Sequence, residues 1–207
     1  QNINSSDTNT ILGEEQRVLY GKSTINDILR GLKFAIGAKS FYQVNHDQTE
    51  KMYEKVIELG NFNKNDIVID AYCGIGTIGI FAAKSVKKVY GIEIVNEAIE
   101  NANLNKELNA ITNAEFILGK SEEKIKELLL KGINPNALIV DPPRKGLDRA
   151  LLDTLIETKI KRIVYVSCDP ATLARDLRVL TNNGYFIQSI TPFDMFPQTN
   201  HVETVVL

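Results

Sequence analysis

The stretch SCDPATLARDL, residues 167–177, sets a cysteine between an apolar run and the start of a helix. Ile163, Val164, Tyr165 and Val166 read as a strand, and Cys168 falls just beyond its end. Asp169 suits the N-cap and Pro170 the first helical position, with Leu173, Leu177 and Leu180 on one face. A thiol at a strand's C-terminal tip, beside the positive end of a helix, is placed to ionise, and a thiolate is a nucleophile. The plain alternative is a free cysteine packed as a small core residue.

Two other strand-like runs end on polar groups. IVIDA (67–71) leads into Tyr72-Cys73-Gly74-Ile75-Gly76-Thr77, and Glu93 closes the next run. Gly74 and Gly76 let the backbone pass close to a ligand and turn tightly into a helix. A carboxylate about 20 residues further on, as Glu93 is, can take both hydroxyls of a ribose. Nicotinamide dinucleotides and S-adenosylmethionine share this arrangement. The third glycine of the dinucleotide fingerprint is missing at its usual place, since Gly79 falls one residue off, and D-x-x-C-G-x-G favours S-adenosylmethionine. In Asp141-Pro142-Pro143 the prolines stiffen the backbone and withdraw two amide donors, so Asp141 stands on a fixed extended stalk. Such a stalk suits holding a flat polar base beside a cofactor's reactive group.

The elements that must carry these groups alternate. A helix with Met52, Val56 and Leu59 precedes strand 67–71, and a helix through Phe81 follows it. Strand 88–94, helix 96–107, strand 115–118 and a helix opened by Ser121, containing Ile125, Leu128 and Leu129, come next. Strand 137–140, helix 148–158, strand 162–166 and helix 170–182 complete the pattern. Strands separated by helices of this length predict right-handed βαβ units and a buried parallel sheet, with ligands at the strands' C-terminal ends. YFIQSITPFD (185–194) and HVETVVL (201–207) have no helix between them and predict a closing antiparallel hairpin. Upstream, RVLYGK, LKFAIG and FYQVN within 17–45 read as short strands, too few to fold alone and fit to be the end of a larger domain. The polar first ten residues read as a linker.

The chain of 207 residues is 43% hydrophobic and 24% charged, ordinary for one soluble globular core. No apolar run approaches the ~20 residues of a membrane helix, and QNINSSDTNT is no signal peptide. Cys73 and Cys168 offer neither a disulfide framework nor paired metal-ligand spacing, which fits a reducing, cytoplasmic setting without a metal. A net charge of −2 argues against a stand-alone nucleic-acid binder. Arg144, Lys145, Arg149, Lys159, Lys161, Arg162, Arg175 and Arg178 nevertheless cluster in sequence, as solvated faces or as a phosphate-facing patch.

Taken together, FYQVN (41–45), DAYCGIGTIGI (70–80), GIEI (91–94), DPPRKGL (141–147), SCDPATLARDL (167–177) and HVET (201–204) resemble the RNA uracil-C5 methyltransferase family. The resemblance covers roughly residues 17–207. It implies a class I S-adenosylmethionine-dependent methyltransferase of α/β, Rossmann-like fold, its mostly parallel seven-stranded sheet closed by a C-terminal antiparallel hairpin. Residues 1–45 would be the remnant of an upstream central domain, and 46–207 the catalytic domain. By the same resemblance Gln43, Tyr72, Gly74, Gly76, Glu93 and Asp141 line the S-adenosyl-L-methionine site, Cys168 is the nucleophile and Glu203 the base. Arg144 and Lys145 would contact the RNA substrate, ribosomal RNA before transfer RNA, in a monomer that touches no membrane. The chemistry accounts for the residue types. C5 of uracil is a poor nucleophile until a thiolate adds to C6; the C5 proton must afterwards be taken by a base before the thiolate can leave.

The sequence also departs from the family pattern. Full-length members carry an N-terminal RNA-binding barrel, and some an iron–sulfur cluster; neither is in these 207 residues, so the chain reads as a catalytic fragment. Asp169 stands where Asn is commoner, and its carboxylate would raise the neighbouring thiol's pKa. Lys120 stands where an acidic residue often reads adenine, and AIGAKS (35–40) replaces a segment that usually ends in Ser-Pro-Arg-Ser. Cys73 reads as loop packing, His46 and His201 as local structure, and Arg175 with Asp176 as a pair bracing the cysteine's helix. Two competing readings remain: an amino-group methyltransferase acting on adenine or cytosine, which has no use for Cys168, and a non-catalytic RNA-binding module.

Overall fold

The computed structural model describes residues 1–5, 7, 12–13 and 15–207. Strands β1 (Asn2–Ile3) and β2 (Glu15–Gln16) pair antiparallel, so part of the expected N-terminal linker is held in a small ribbon; residues 6 and 8–10 of it lie outside the described residues. Next come strands β3 (Thr24–Leu29) and β4 (Leu32–Gly37), then helix α1 (His46–Gly60). The alternating part follows as β5 (Ile67–Ala71), α2 (Thr77–Ala83), β6 (Lys88–Glu93), α3 (Asn96–Leu108), β7 (Ala114–Leu118) and α4 (Ser121–Leu130). It continues through β8 (Ala137–Val140), α5 (Arg149–Thr158), β9 (Arg162–Ser167) and α6 (Pro170–Asn182) to β10 (Ile190–Phe193) and β11 (Glu203–Val206).

Seven strands form one sheet in the order β10-β11-β9-β8-β5-β6-β7. The neighbours from β9 through β7 are parallel, whereas β11 runs antiparallel to both β9 and β10. Side chains alternate across the sheet as a strand's period of two requires. Val68, Val89, Ile139 and Val164 pack with Met52, Val56, Ile78 and Ile99 of α1, α2 and α3. Ile69, Ile92, Leu138 and Tyr165 pack on the other face with Ile125, Leu151, Leu155 and Leu173 of α4, α5 and α6. Each such aliphatic side chain contributes roughly 1.5–3 kcal/mol by leaving water. The strand order reverses between β5 and β8, which opens a crevice at the C-terminal ends of these two strands.

The upstream segment differs from the sequence reading. RVLYGK and FYQVN are not strands; the strand that pairs with LKFAIG is TINDIL, 24–29. Its turn is Arg30-Gly31, with φ of 48° and 75°, the two positive values a tight type I′ hairpin turn needs. The ribbon is not left without a partner. Asn105 of α3 accepts from the Ala35 amide at 2.7 Å and donates to the Ala35 and Ile75 carbonyls at 3.2 and 3.1 Å. One turn on, Asn109 makes the same two-way contact with Lys33. Two side-chain amides thus serve β4 as a substitute strand edge, and they tie it to the loop that opens α2.

Candidate active site

A cavity of about 800 Å3 lies over the C-terminal ends of β5, β6, β8 and β9. Its floor is the loop after β5. Tyr72 there has a φ of 62°, Gly74 of 53° and Gly76 of 82°, so three residues in five hold left-handed backbone. A Cβ on Gly76 would stand 2.6 Å from the Phe116 ring, whereas one on Gly74 would meet nothing within 4 Å. Gly76 packs the loop against the sheet; Gly74 leaves an open shelf. Glu93 fixes the shelf's edge. Its Oε2 accepts from the Gly74 amide at 3.1 Å, and its Oε1 from Ile94 and Val95 at 2.7 and 3.0 Å. Three amide donors hold one carboxylate in a single orientation, with lone pairs remaining for a ligand's hydroxyls.

Asp141 follows β8 on its proline stalk, and the loop beyond is pinned to α6. Thr172 donates to the Arg144 carbonyl at 3.0 Å and Arg175 to that of Lys145 at 2.8 Å. Asp176, fully buried, accepts from the Leu147 amide and the Tyr165 hydroxyl, both at 2.8 Å, and pairs with Arg175. The Arg175–Asp176 pair therefore braces α6 as the sequence suggests, and it also anchors the Asp141 loop. Gly146 is required there, since a Cβ would stand 2.5 Å from Asp176.

Cys168 sits half-buried between β9 and α6, with Asp169 capping the helix through the Thr172 amide at 2.8 Å. Residue Thr204 of β11 opposes Ser167 of β9, so one step further along this antiparallel pair Glu203 lies across from Cys168. Glu203 is 3% exposed and its Oε2 has no partner. The helix end does not make the thiol acidic. Burial pushes its pKa up, Glu203 and Asp141 push it further, and Arg144 opposes them. Asp169 has taken the helix's amides for itself, and its own pKa falls chiefly through the Thr172 amide. The carboxylates that raise the thiol are thus Glu203 and Asp141, where the sequence pointed to Asp169.

The cavity gathers acids. Asp70, 1% exposed, is pushed up to about 7 by burial, against the Gly79 amide and with Glu93 adding to it. Asp141 is raised to about 8 by loss of solvent, then by Glu203 and Asp70. Burial raises Glu203 as well, with Arg144 opposing. Asp70 Oδ2, Glu203 Oε2 and Gln43 Oε1 are buried without partners, and all three residues line this cavity. Such a wall suits a ligand that carries positive charge and hydroxyls. A dinucleotide would bring a pyrophosphate into this acid-rich wall, so the acids favour the S-adenosylmethionine type over the nicotinamide type.

Nine of the ten candidate site residues named from the sequence line this cavity, and the tenth, Gly76, shapes the loop beneath it. Arg144 and Lys145 are exposed at its mouth, Lys145 pairing with Asp148 at 3.0 Å. The rest of the basic cluster does not form one patch. Arg162 begins β9 at the far end of the sheet and grips Asp66 and the Gly60 and Asn61 carbonyls, while Arg149 pairs with Asp153. Lys120 lies on the cavity rim and faces Glu123 at 3.4 Å. Cys73 is buried in the loop; His46 meets Asp27 and Glu50, and His201 stands edge-on to Phe196. Tyr53 and Phe196 also line the cavity and belong to no motif, and Thr77 lines it from the end of the glycine loop. Tyr53 falls on the apolar stripe of α1, where its position reads as core.

The fold is that of the class I S-adenosylmethionine-dependent methyltransferases; a putative methyltransferase of that type from Streptococcus mutans superposes with a TM-score of 0.70 over 93% of this chain and 57% of its own, at 9% identity. The family model described as tRNA (Uracil-5-)-methyltransferase matches residues 11–207, and the chain belongs to that family. It is 53% identical over its full length to an uncharacterized RNA methyltransferase of Clostridium acetobutylicum, and 55% identical over 99% of its length to one of Bacillus cereus. The chain spans 45% of the length of each of these relatives. Among solved structures it is similar to the tRNA (uracil-54, C5)-methyltransferase of Pyrococcus abyssi in complex with S-adenosyl-L-homocysteine, with a TM-score of 0.81 and 36% identity over 99% of this chain and 49% of that one.

Proposed function

We propose that this chain is the catalytic part of an enzyme that methylates C5 of a uridine in RNA, with S-adenosyl-L-methionine as methyl donor. The observation that carries the reading is the β9–β11 register, which sets Cys168 opposite Glu203 in the cavity that Asp141 overlooks. Residues 46–207 are the catalytic unit in this reading, and residues 1–45 bring Gln43 to it from a preceding domain.

When bound, S-adenosylmethionine supplies an electrophilic methyl on a sulfonium. Glu93 holds the ribose hydroxyls, the Gly74 shelf takes the backbone-facing edge of the nucleoside, and Asp70 faces its positive charge. Gln43, Tyr72 and Asp141 line the rest of the cofactor's site, beside the space for a flipped-out uracil ring, and Arg144 and Lys145 meet RNA phosphate at the mouth. The Cys168 thiolate forms a bond to C6, and the C5=C6 electron pair moves to make an enolate nucleophilic at C5. After methylation Glu203 takes the C5 proton, the double bond re-forms, and the C6–S bond breaks to return the thiolate. Burial makes Glu203 a stronger base than an exposed carboxylate, which suits the proton it must remove.

Ribosomal RNA is the first substrate to try and transfer RNA the second, since the Pyrococcus abyssi neighbour acts on tRNA. The test is to incubate the full-length protein with methyl-labelled S-adenosylmethionine and each unmodified RNA, then digest to nucleosides. Label in 5-methyluridine is expected. Label on an amino group of adenosine or cytidine would replace this reading with the amino-group one.

A further inference from the structure

The mouth of the cavity continues into an open groove to which the reaction above gives no task. Val44, His46 and Asp47, where the chain enters α1, form one side; Phe196, Pro197 and Thr199, between β10 and β11, form the other. Phe196 lines both spaces. Gln43 is buried against the cavity, and the next residue, Val44, faces out and is 82% exposed. The two sides are stapled together underneath. Asn45 donates to the Met195 carbonyl at 2.9 Å while its own oxygen accepts from the Gln48 amide at 3.3 Å, and Met195, 1% exposed, lies against the Thr49 hydroxyl. The groove is therefore built into the packed structure.

Its polar groups are engaged. The Thr199 hydroxyl donates to the Phe196 carbonyl at 2.7 Å, and His46 meets Asp27 and Glu50. What is left to a ligand is the apolar surface of Val44, Pro197 and the Phe196 ring, which a flat face covers without hydrogen bonds. Asp47 on the same side repels a phosphate but not an uncharged base. A uridine enters the cavity as one unit of a strand, so its neighbour must lie against the rim, and at Phe196 the rim opens into the groove. Proteins hold single-stranded bases by stacking them on such side chains. We propose that the groove takes the base of one nucleotide adjacent to the target uridine, with the phosphates turned away from Asp47. The inference rests on the reading of the cavity as a uridine-methylating site. The contact is stacking, so it tolerates any base: it sets how the strand runs across the mouth, not which sequence is chosen.

The test uses the full-length protein and a synthetic copy of the RNA that accepts label in the assay above. The base on the 5′ or the 3′ side of the target uridine is removed, ribose and phosphate being kept. Removal on at least one side should raise KM about tenfold with kcat unchanged, the size of a lost stacking contact. Val44→Asp changes an exposed side chain and should leave S-adenosylmethionine binding, measured by calorimetry, as it is. It should raise KM for the intact RNA by a similar factor and make no further difference once that base is gone. Full activity on both abasic RNAs, or a Val44→Asp variant that matches the wild type on intact RNA, overturns the proposal. So does a Val44→Asp loss of equal size on intact and abasic RNA, which would assign the groove to another part of the protein; methylation itself stands in all three cases. A wild type that methylates no RNA overturns the functional reading and this inference with it.

Discussion

Asp70→Asn is expected to stabilise the protein, and the gain should grow with pH. Asp70 is 1% exposed, and burial moves its carboxyl from 3.8 to about 7, with one oxygen left unpartnered. A carboxyl raised by folding costs nothing below its unfolded pKa and its full amount above the folded one. Wild-type stability should therefore fall as pH rises from about 4 to about 7 and then level off. At roughly 1.4 kcal/mol for each pKa unit, the cost is about 1.7 kcal/mol near pH 5 and about 4.4 kcal/mol near pH 8. Asparagine keeps the shape without the charge. Whatever its amide costs is the same at both pH values, so the difference between them, about 3 kcal/mol, isolates the ionisation. Urea unfolding of both proteins at the two pH values measures it. The same variant should bind S-adenosylmethionine more weakly, because the negative oxygen that faces the cation is gone. Stability curves that run parallel from pH 5 to pH 8 would refute the account of the acidic wall.

Other perturbations test the scaffold and the thiol. Asp176→Ala strands the Leu147 amide and the Tyr165 hydroxyl and should cost about 3 kcal/mol, a fall in Tm of about 6–12 °C by thermal melt; a loss below about 1 kcal/mol would mean the loop is held by other contacts. Alkylation of Cys168 by iodoacetamide should show a pH midpoint above that of an ordinary thiol, moving down in Glu203→Gln. A midpoint that ignores Glu203→Gln would separate the two groups that the β9–β11 register brings together. With ordinary RNA, Glu203→Gln should also accumulate a methylated covalent adduct, visible as a shifted protein band, since the thiolate cannot leave while C5 keeps its proton.

Much of the scaffold could be read from pattern because its elements are governed by local rules. Strands 67–71 and 137–140 and helix 170–182 fall where the apolar runs, Asp169 and Pro170 put them. The strand 24–29 was hidden because Asn26 and Asp27 interrupt it while Ile25 and Ile28 face outward, and its turn starts on Arg30, with no Asn-Gly or Asp-Gly to mark it. The basic cluster misleads for the opposite reason: residues near in sequence are sent to opposite ends of the sheet, Arg162 at the start of β9 and Arg144 beyond the end of β8 at the cavity mouth. Motifs at strand tips located the cavity, but not its electrostatics. The helix end next to Cys168 looked free to stabilise a thiolate, and only the three-dimensional arrangement of Asp169, Glu203 and Asp141 reverses the sign. Tyr53 was invisible as a cavity residue because a tyrosine at a helix's buried face fits the core pattern equally well.

The central claim is that Cys168 bonds to C6 of a uracil. Incubation of the full-length protein with S-adenosylmethionine and RNA carrying 5-fluorouridine tests it most directly, because fluorine at C5 cannot leave as a proton and the reaction should stop with RNA attached. Intact-mass measurement should find a protein–RNA adduct in the wild type and none in Cys168→Ser. Methyl transfer to unmodified RNA with no adduct on the fluorinated one would contradict the claim and return Cys168 to a packing role.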